Sequence, residues 1–250
     1  MGSVEAFPRK PPVATIADVW RVARVTGNES LHVRTMRLED CAAIRALQRQ
    51  ANPGVPPWTL QQLESQRHAF PEGQLVAETG GLVVGALSSL VVQWDDYAVD
   101  HTWKAITGDG HFTTHDPRGR TLYGTEVVVD VSLRGGYAVA RALYQAQRRL
   151  CRRLNLRRVI AAARLPGYRE MKEQMSPELY AMKVIWGDIA DPILRFPMSL
   201  GFHYCGIIHA YLPEDRESDG HAALIVWLNP LYSPPRPPAA IAPERRRRCA

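Results

Sequence analysis

The stretch 122–131, Leu-Tyr-Gly-Thr-Glu-Val-Val-Val-Asp-Val, restricts this chain more than any other. Valine at that density favours a pleated strand with its faces buried. It is followed by Arg134-Gly135-Gly136-Tyr137-Ala138-Val139-Ala140, and then by Val139, Leu143, Leu150 and Leu154 at helical spacing. Arg141, Arg148, Arg149 and Arg152 fall on the opposite face of that helix, which reads as a solvated surface. Residues 158–163 form a second, buried-looking strand. The unit is therefore strand, glycine turn, helix, strand. Small residues let main-chain N–H groups approach a ligand closely, and a helix N-terminus carries about half a positive charge. A pyrophosphate suits such a turn. Turns of this kind also occur with no ligand, so the segment alone leaves both readings open.

The flanking sequence supplies more strands and helices. Residues 32–36 suit a short first strand, and 41–50 carry Ile44 and Leu47 at helical spacing. The stretch 52–57 breaks that helix, and Thr59 with Gln62 forms a capping box for the next. Gly80-Gly81 between 74–79 and 82–92 is the clearest hairpin signal, because glycine takes up positive φ without steric cost. Ser176-Pro177-Glu178 opens another helix with proline in its first turn. Strands near 203–211 and 221–228 close the fold. Residues 94–121 read as a long polar insertion loop, a class that is usually functional or disordered.

The expected organisation is an N-terminal extension over 1–31, one α/β domain over 32–231, and a disordered Pro/Arg-rich tail over 232–250. The net charge of +6 is concentrated in that tail, where Arg236 and Arg245 to Arg248 face one acid, Glu244. A basic tail on a nearly neutral body points to electrostatics carried by the tail, not to a basic groove. No apolar run approaches the ~18 residues needed to span a bilayer, and the N-terminus has no secretory core. The four cysteines show no C-x-x-C spacing, so neither a disulfide framework nor a zinc site is indicated. A cytoplasmic protein is expected.

Several unusual motifs occur in order. They are Val33-Arg34-Thr35-Met36 with Glu39-Asp40, Phe70-Pro71-Glu72-Gly73-Gln74, Trp94-Asp95-Asp96-Tyr97 and His101-Thr102-Trp103. Thr114-His115-Asp116-Pro117, Leu122-Tyr123-Gly124, Leu165-Pro166-Gly167-Tyr168, Met175-Ser176-Pro177 and Gly201-Phe202 continue the series. Over residues 33–231 the chain resembles the GCN5-related N-acetyltransferase (GNAT) domain found fused to carbon–nitrogen hydrolases in prokaryotic proteins. The resemblance implies an α/β (α+β) fold: a mixed, mostly antiparallel sheet flanked by helices, with acetyl-CoA or another acyl-CoA between two splayed central strands. It implies that Val127, Val128 and Val129 lie along the thioester and that residues Arg134, Gly135, Gly136, Tyr137, Ala138, Val139 and Ala140 hold the pyrophosphate. A small-molecule amine is the implied acceptor, and a homodimer is compatible. The family's loop pattern is altered here. Arg134 stands four residues before Ala138, not three, and Ala138 replaces a glycine; either one residue is inserted or Gly135 occupies the arginine position.

GNAT proteins often carry a tyrosine four or five residues before Gly-Phe as general acid. Residues 196–200 hold none, so Tyr204 and Tyr180 are the substitutes considered. Glu126 is the candidate general base, on the strand face of Val128 and Asp130 and otherwise a structural partner of an arginine. Asp96, His101 and His115 are candidate acceptor contacts, and no metal site is expected. Cys205 reads as a core residue more than a nucleophile, and Trp58, Trp103 and Trp186 as packing. Two other functions fit the altered loop: a GNAT-fold transferase taking an aminoacyl group from tRNA through the arginine tail, and a non-catalytic binding module.

Overall fold

A computed structural model describes residues 30–97, 99–133 and 136–234. Most of the expected extension and tail, together with Arg134 and Gly135, lies outside the described residues. Seven strands form one sheet: β1 (His32–Thr35), β2 (Gln74–Thr79), β3 (Leu82–Val92), β4 (Thr121–Val129), β5 (Arg158–Arg164), β6 (His203–Ile208) and β7 (Ala222–Leu228). Their order is β1-β2-β3-β4-β5-β7-β6. Every pairing is antiparallel except that of β4 with β5. The helices are α1 (Cys41–Ala51), α2 (Leu60–Ala69), α3 (Trp103–Thr107), α4 (Gly136–Arg153), α5 (Pro177–Trp186) and α6 (Pro192–Ser199). The mixed, mostly antiparallel sheet flanked by helices agrees with the fold class read from the sequence.

Local chemistry explains many of the boundaries. Gly80 and Gly81 both take positive φ, 55° and 75°, which lets β2 turn directly into β3. The Thr59 hydroxyl accepts from the Gln62 N–H at 3.1 Å, and Ser176 does the same for Leu179 at 3.3 Å. Asp191 caps α6 by accepting from the N–H groups of Ile193 and Leu194. Strand alternation then sends side chains to both faces. Val76, Ala86 and Val128 meet α1 and α2, whereas Leu75, Ala77 and Leu87 meet Val139 and Leu143 of α4.

Two expectations need correction. Residues 94–121 are not an unpacked loop. They contain the 3₁₀ turn Trp94–Asp96 and α3, and bury Ile106 and Phe112 in a cluster with Leu90, Tyr123, Ile160 and Leu224. Their polar backbone is met by side chains of α2: Gln62 and Gln66 donate amide N–H groups to the Asp109 and Gly110 carbonyls, and Ser65 donates to that of His111. The arginine face of α4 is also less solvated than expected. The Arg148 guanidinium lies 5.4 Å from the Phe202 ring centroid and 5.0 Å from that of Trp227, and Arg152 lies 5.4 Å from the same indole.

The pairing of β4 with β3 is irregular at one point. Ser88 of β3 stands opposite Glu126, but Ser89 stands opposite Gly124, so Thr125 is an extra residue, a β-bulge. Its hydroxyl donates to the Ser88 carbonyl at 3.1 Å. Ser89 is held from the other side by Gln74, whose amide donates to the Ser89 carbonyl at 2.9 Å. A Cβ added at Gly73 would sit 2.4 Å from that same carbonyl oxygen. Gly73→Ala is therefore expected to destabilise the fold by ~1–3 kcal/mol, lowering the thermal midpoint by roughly 2–4 °C per kcal/mol.

Candidate active site

The parallel ladder between β4 and β5 is short. It pairs Thr121 to Gly124 with Arg158 to Ala161 and stops. Beyond it β4 continues with β3 alone and β5 with β7. The two strands fork, and the backbone groups of β4 on the side of the fork lose their ladder partners. A cavity of about 330 Å³ opens there. Gly124, Thr125, Glu126 and Val127 line one wall and Ala161 to Arg164 the other. Four consecutive β4 residues reach the same space because the bulge at Thr125 breaks strict alternation.

Glu126 is held in a defined orientation on this wall. The Gln48 amide on α1 donates to its Oε2 at 2.6 Å. The same amide is fixed at its other end, where the Trp58 N–H donates to Gln48 Oε1 at 3.1 Å. With its oxygen committed to a backbone donor, the amide has only N–H groups to offer the carboxylate. Burial pushes the Glu126 carboxyl up to about 7, against the opposing pull of Gln48 and of the Arg164 charge. Arg164 is itself committed. It makes two 2.6 Å bonds to Asp215, donates to Glu217 at 2.8 Å and also reaches Asn52. Burial opposes its charge, but the carboxylates of Asp215 and Glu217 keep it protonated.

The remaining walls differ in character. Trp58 and Trp103 both line the cavity and stack at 6.2 Å between centroids, so these two indoles do more than fill the core. Tyr211 and His221 also face it. Burial and the neighbouring His209 lower the basicity of His221, and its Nδ1 is buried without a hydrogen-bond partner. On the α4 side stand Tyr144 and Gln147. The Gln147 amide donates to the Ser89 hydroxyl at 2.9 Å, which leaves its Oε1 buried and unmatched.

The sequence candidates divide accordingly. Glu126 and Val127 line the cavity. Val128 is buried against α1 and Val129 packs toward α4. Gly136 starts α4, Tyr137 is exposed against Phe196, and Val139 and Ala140 are buried; Ala138 follows Tyr137 on the same first turn. Asp96 is exposed, and His115 stacks on Phe70 at 4.7 Å while its Nδ1 accepts the Val91 N–H; neither lines the cavity. His101 stands behind the wall, 2.9 Å from the Tyr123 hydroxyl. Tyr204 packs from β6 onto the core that holds Phe202, Ile207 and Ile225, and Tyr180 donates to Asp191, so neither tyrosine considered as general acid faces the cavity. The tyrosines that do are Tyr144 and Tyr211. Sequence reading missed these two, with Gln48, Gln147, Arg164 and His221. Only the helical spacing of Tyr144 and Gln147, which share a face with Leu143 and Leu150, gave a signal. Cys205 is exposed and Trp186 lies on the surface. Among the described residues no group of three or more His, Cys, Asp or Glu side chains is placed to hold a metal, and no helix is long and apolar enough to cross a membrane.

A forked parallel pair joined by a helix, with a carboxylate on the cavity wall, leaves room for a ligand beside a candidate base. Similarity to known proteins narrows the reading. The chain is 31% identical over 211 residues to an uncharacterized N-acetyltransferase, YkwB, of Bacillus subtilis, covering 82% of this chain and 91% of that one. It is 39% identical over 202 residues to a probable hydrolase, YhcX, of the same organism, of whose length it spans only 39%. No protein-family model matches. Among solved structures it resembles the GNAT-like decarboxylase GphF bound to isobutyryl-CoA (22% identity, TM-score 0.64, 79% of this chain and 99% of that one). It also resembles the loading GNATL domain of CurA from Lyngbya majuscula (18%, 0.69, 80% and 98%). The chain belongs to the GNAT family of N-acetyltransferases.

That family implies an acyl-CoA co-substrate, and the residues present suit one. The unpaired edge of β4 offers partners to the amides of a pantetheine arm. The N-terminus of α4 follows β4, and the family implies that N–H groups there meet phosphates.

The raised pKa of Glu126 has a consequence for stability. Its folded value, about 7, exceeds the ordinary glutamate value of 4.5, so the fold binds that proton more tightly than the unfolded chain does. The associated stability is present below about pH 4.5 and is lost as pH rises through 7. Glu126→Gln keeps the hydrogen bond from Gln48 and removes the charge. The variant should match the parent at pH 4.5 and exceed it by about 3 kcal/mol at pH 8, measurable by denaturant unfolding at both pH values.

Proposed function

We propose that this chain transfers an acyl group from acyl-CoA to the amine of a small molecule, with Glu126 as general base. The observation that carries the reading is the Glu126 carboxylate, oriented by Gln48 on the wall of the fork cavity and poised near neutral pH. A base with this pKa can hold a proton from an ammonium and release it again near pH 7. The bound co-substrate supplies an acyl group as a thioester, activated for attack. The chain's own residues do the rest. Backbone N–H groups of β4 left unpaired past Gly124 are placed to polarise a carbonyl. The indoles of Trp58 and Trp103 exclude water and orient the acceptor. Tyr144, on the α4 side of the cavity, is the tyrosine placed to protonate a leaving thiolate.

The test has two parts. Isothermal titration of the parent with acetyl-CoA should show binding, and Gly136→Val should weaken it at least tenfold. A Cβ at Gly136 meets only Val129 and Asp130 at 3.6 and 3.8 Å, ordinary contacts, so the variant should fold. Absence of binding to the parent rejects the reading. Glu126→Gln should then lower kcat/KM for acetyl transfer by ~10²–10⁴-fold. The parent's kcat/KM should drop about tenfold per unit below pH 7 and level off above it, and the variant should lose that acidic limb.

A further inference from the structure

The wall of the cavity that carries Trp58 is apolar for a reason that begins in its backbone. Between α1 and α2 the cavity is lined by Val55, Pro56, Pro57, Trp58 and Thr59. No N–H group of this run is left without a partner. That of Val55 donates to the Asn52 carbonyl at 3.0 Å, that of Trp58 to the Gln48 side-chain oxygen at 3.1 Å, and that of Thr59 to the Gln62 side-chain oxygen at 2.8 Å. Pro56 and Pro57 have none to give. A carboxylate, phosphate or carbonyl oxygen of a ligand therefore meets no spare main-chain donor here. The polar side chains beside the run are engaged as well. The Gln62 amide donates to the Asp109 carbonyl at 2.8 Å, Asn52 accepts from Arg164, and Arg164 is bound to Asp215 and Glu217. The Tyr211 hydroxyl accepts from that of Tyr123 at 3.1 Å and keeps one proton to give.

What this wall offers a ligand is flat carbon surface. The Trp58 and Trp103 rings stand 6.2 Å apart between centroids, at an interplanar angle of 24°. Trp58 is only 8% exposed. Trp103 is fixed by its main-chain N–H, which donates to the Tyr211 carbonyl at 2.8 Å, and by close packing with the insertion. A Cβ at Gly110 would lie 2.7 Å from its ring. Charge enters at Glu126, which the single Gln48 amide joins to the Trp58 backbone. An amine that meets Glu126 thus has the indoles one short arm away. A carboxylate on the same carbon would stand beside the ionised Glu126, a repulsive pair in a site of low polarity. The exposed Lys104 and Glu214 also line the cavity, but charge pairs made there stay in water and add little.

We propose that the acceptor is an arylalkylamine, a primary amine joined by a short arm to a flat aromatic ring and bearing no second charge. The proposal rests on the N-acyltransfer reading and names its substrate class. The amine meets Glu126, and the ring lies along Trp58 and Trp103. Removal of apolar surface from water and offset or edge-on ring contact both favour it there. An amine with a polar body would have to displace hydrogen bonds the fold already makes, whereas an aromatic one displaces none. In the transfer the ammonium gives one proton to Glu126. Its nitrogen bonds the acyl carbon as the carbon–sulfur bond breaks, and the second proton it loses ends on the departing thiolate. The products are an uncharged amide, a thiol and a protonated Glu126 that returns its proton to water.

The test is a panel of amines with acetyl-CoA as donor, read on the unmodified protein. Tryptamine and phenethylamine are the expected acceptors. Butylamine lacks the ring, tryptophan adds a carboxylate, putrescine adds a second ammonium, and glucosamine has a polar body. The kcat/KM for the two arylalkylamines should exceed that for each of the others by roughly tenfold or more. Equal or better turnover of any of the other four overturns the substrate class while the N-acyltransfer reading stands. Binding of acetyl-CoA without acetylation of either arylalkylamine overturns the class as well. No binding of acetyl-CoA rejects the N-acyltransfer reading and takes this inference with it. Trp103→Leu keeps an apolar side chain and removes the aromatic plane. It should cut the preference for phenethylamine over butylamine ~5–10-fold, mainly through the KM for phenethylamine. A variant that loses activity on both amines in equal proportion shows Trp103 to be structural only and sinks its assigned contact with the ring.

Discussion

Parallel strands joined by a helix normally stay paired along their length, because each unpaired backbone group in a dry interior costs free energy. Here the pairing ends at Gly124 and Ala161, and the rest of the site is arranged around that ending. Two features hold the fork open. The bulge at Thr125 swings β4 away from the ladder while keeping it bonded to β3. Gly124 then lets α4 lie close to the strand. A Cβ there would come within 2.8 Å of the Gln147 amide, the group that bonds Ser89. On the far wall, β5 is held along its other edge by β7, through seven paired residues from Arg158 to Arg164.

The polar groups of the cavity, by contrast, run against stability. A carboxylate whose pKa is driven up by burial, a histidine nitrogen with no partner and an amide oxygen with none are each a cost that an apolar side chain would avoid. Arg164 behaves differently. It is also largely buried, yet Asp215, Glu217 and Asn52 meet its donors, and Ser218 braces Asp215 through a 2.6 Å bond. A well-satisfied ion cluster and a set of unsatisfied groups share one cavity. The first explains how the end of β5 is held; the second is the pattern expected where a ligand completes the bonding.

What could be read from the sequence follows the range of the interactions. Signals spanning a few residues transferred well: the Gly80-Gly81 turn, the Thr59 and Ser176 caps, and the face alternation that put Glu126 with Val128. The family resemblance reached further, to the mixed sheet and the splayed strands. What failed was pairing across the chain. Gln48 and Glu126 are 78 residues apart, Tyr123 and Tyr211 88, Arg164 and Asn52 112. No periodicity reports such pairs. His101 drew notice as a histidine in a polar loop; in the fold it meets the Tyr123 hydroxyl and does not line the cavity. The insertion itself was misjudged because its apolar residues, Trp94, Ile106 and Phe112, are too far apart to form a period, although together they build a core.

The cavity's two sides have different origins in the chain. The side proposed for the donor is made of regular elements: β4 and the helix α4 that crosses from β4 to β5. A chain that binds one invariant co-substrate gains from rigid elements, since regular structure holds positions more tightly than loops do. The proposed acceptor side is made of connections. Trp58 comes from the segment between α1 and α2, Trp103 from the insertion, and Tyr211 and His221 from the region between β6 and β7. Such segments change length and composition at little cost to the sheet. Glu126 sits where the two sides meet, on a rigid strand but oriented by Gln48, whose own orientation is set by the backbone of Trp58. A change in the acceptor wall at Trp58 is thus transmitted through one amide to the proposed base. The proposed acceptor wall and the proposed base are joined by two hydrogen bonds.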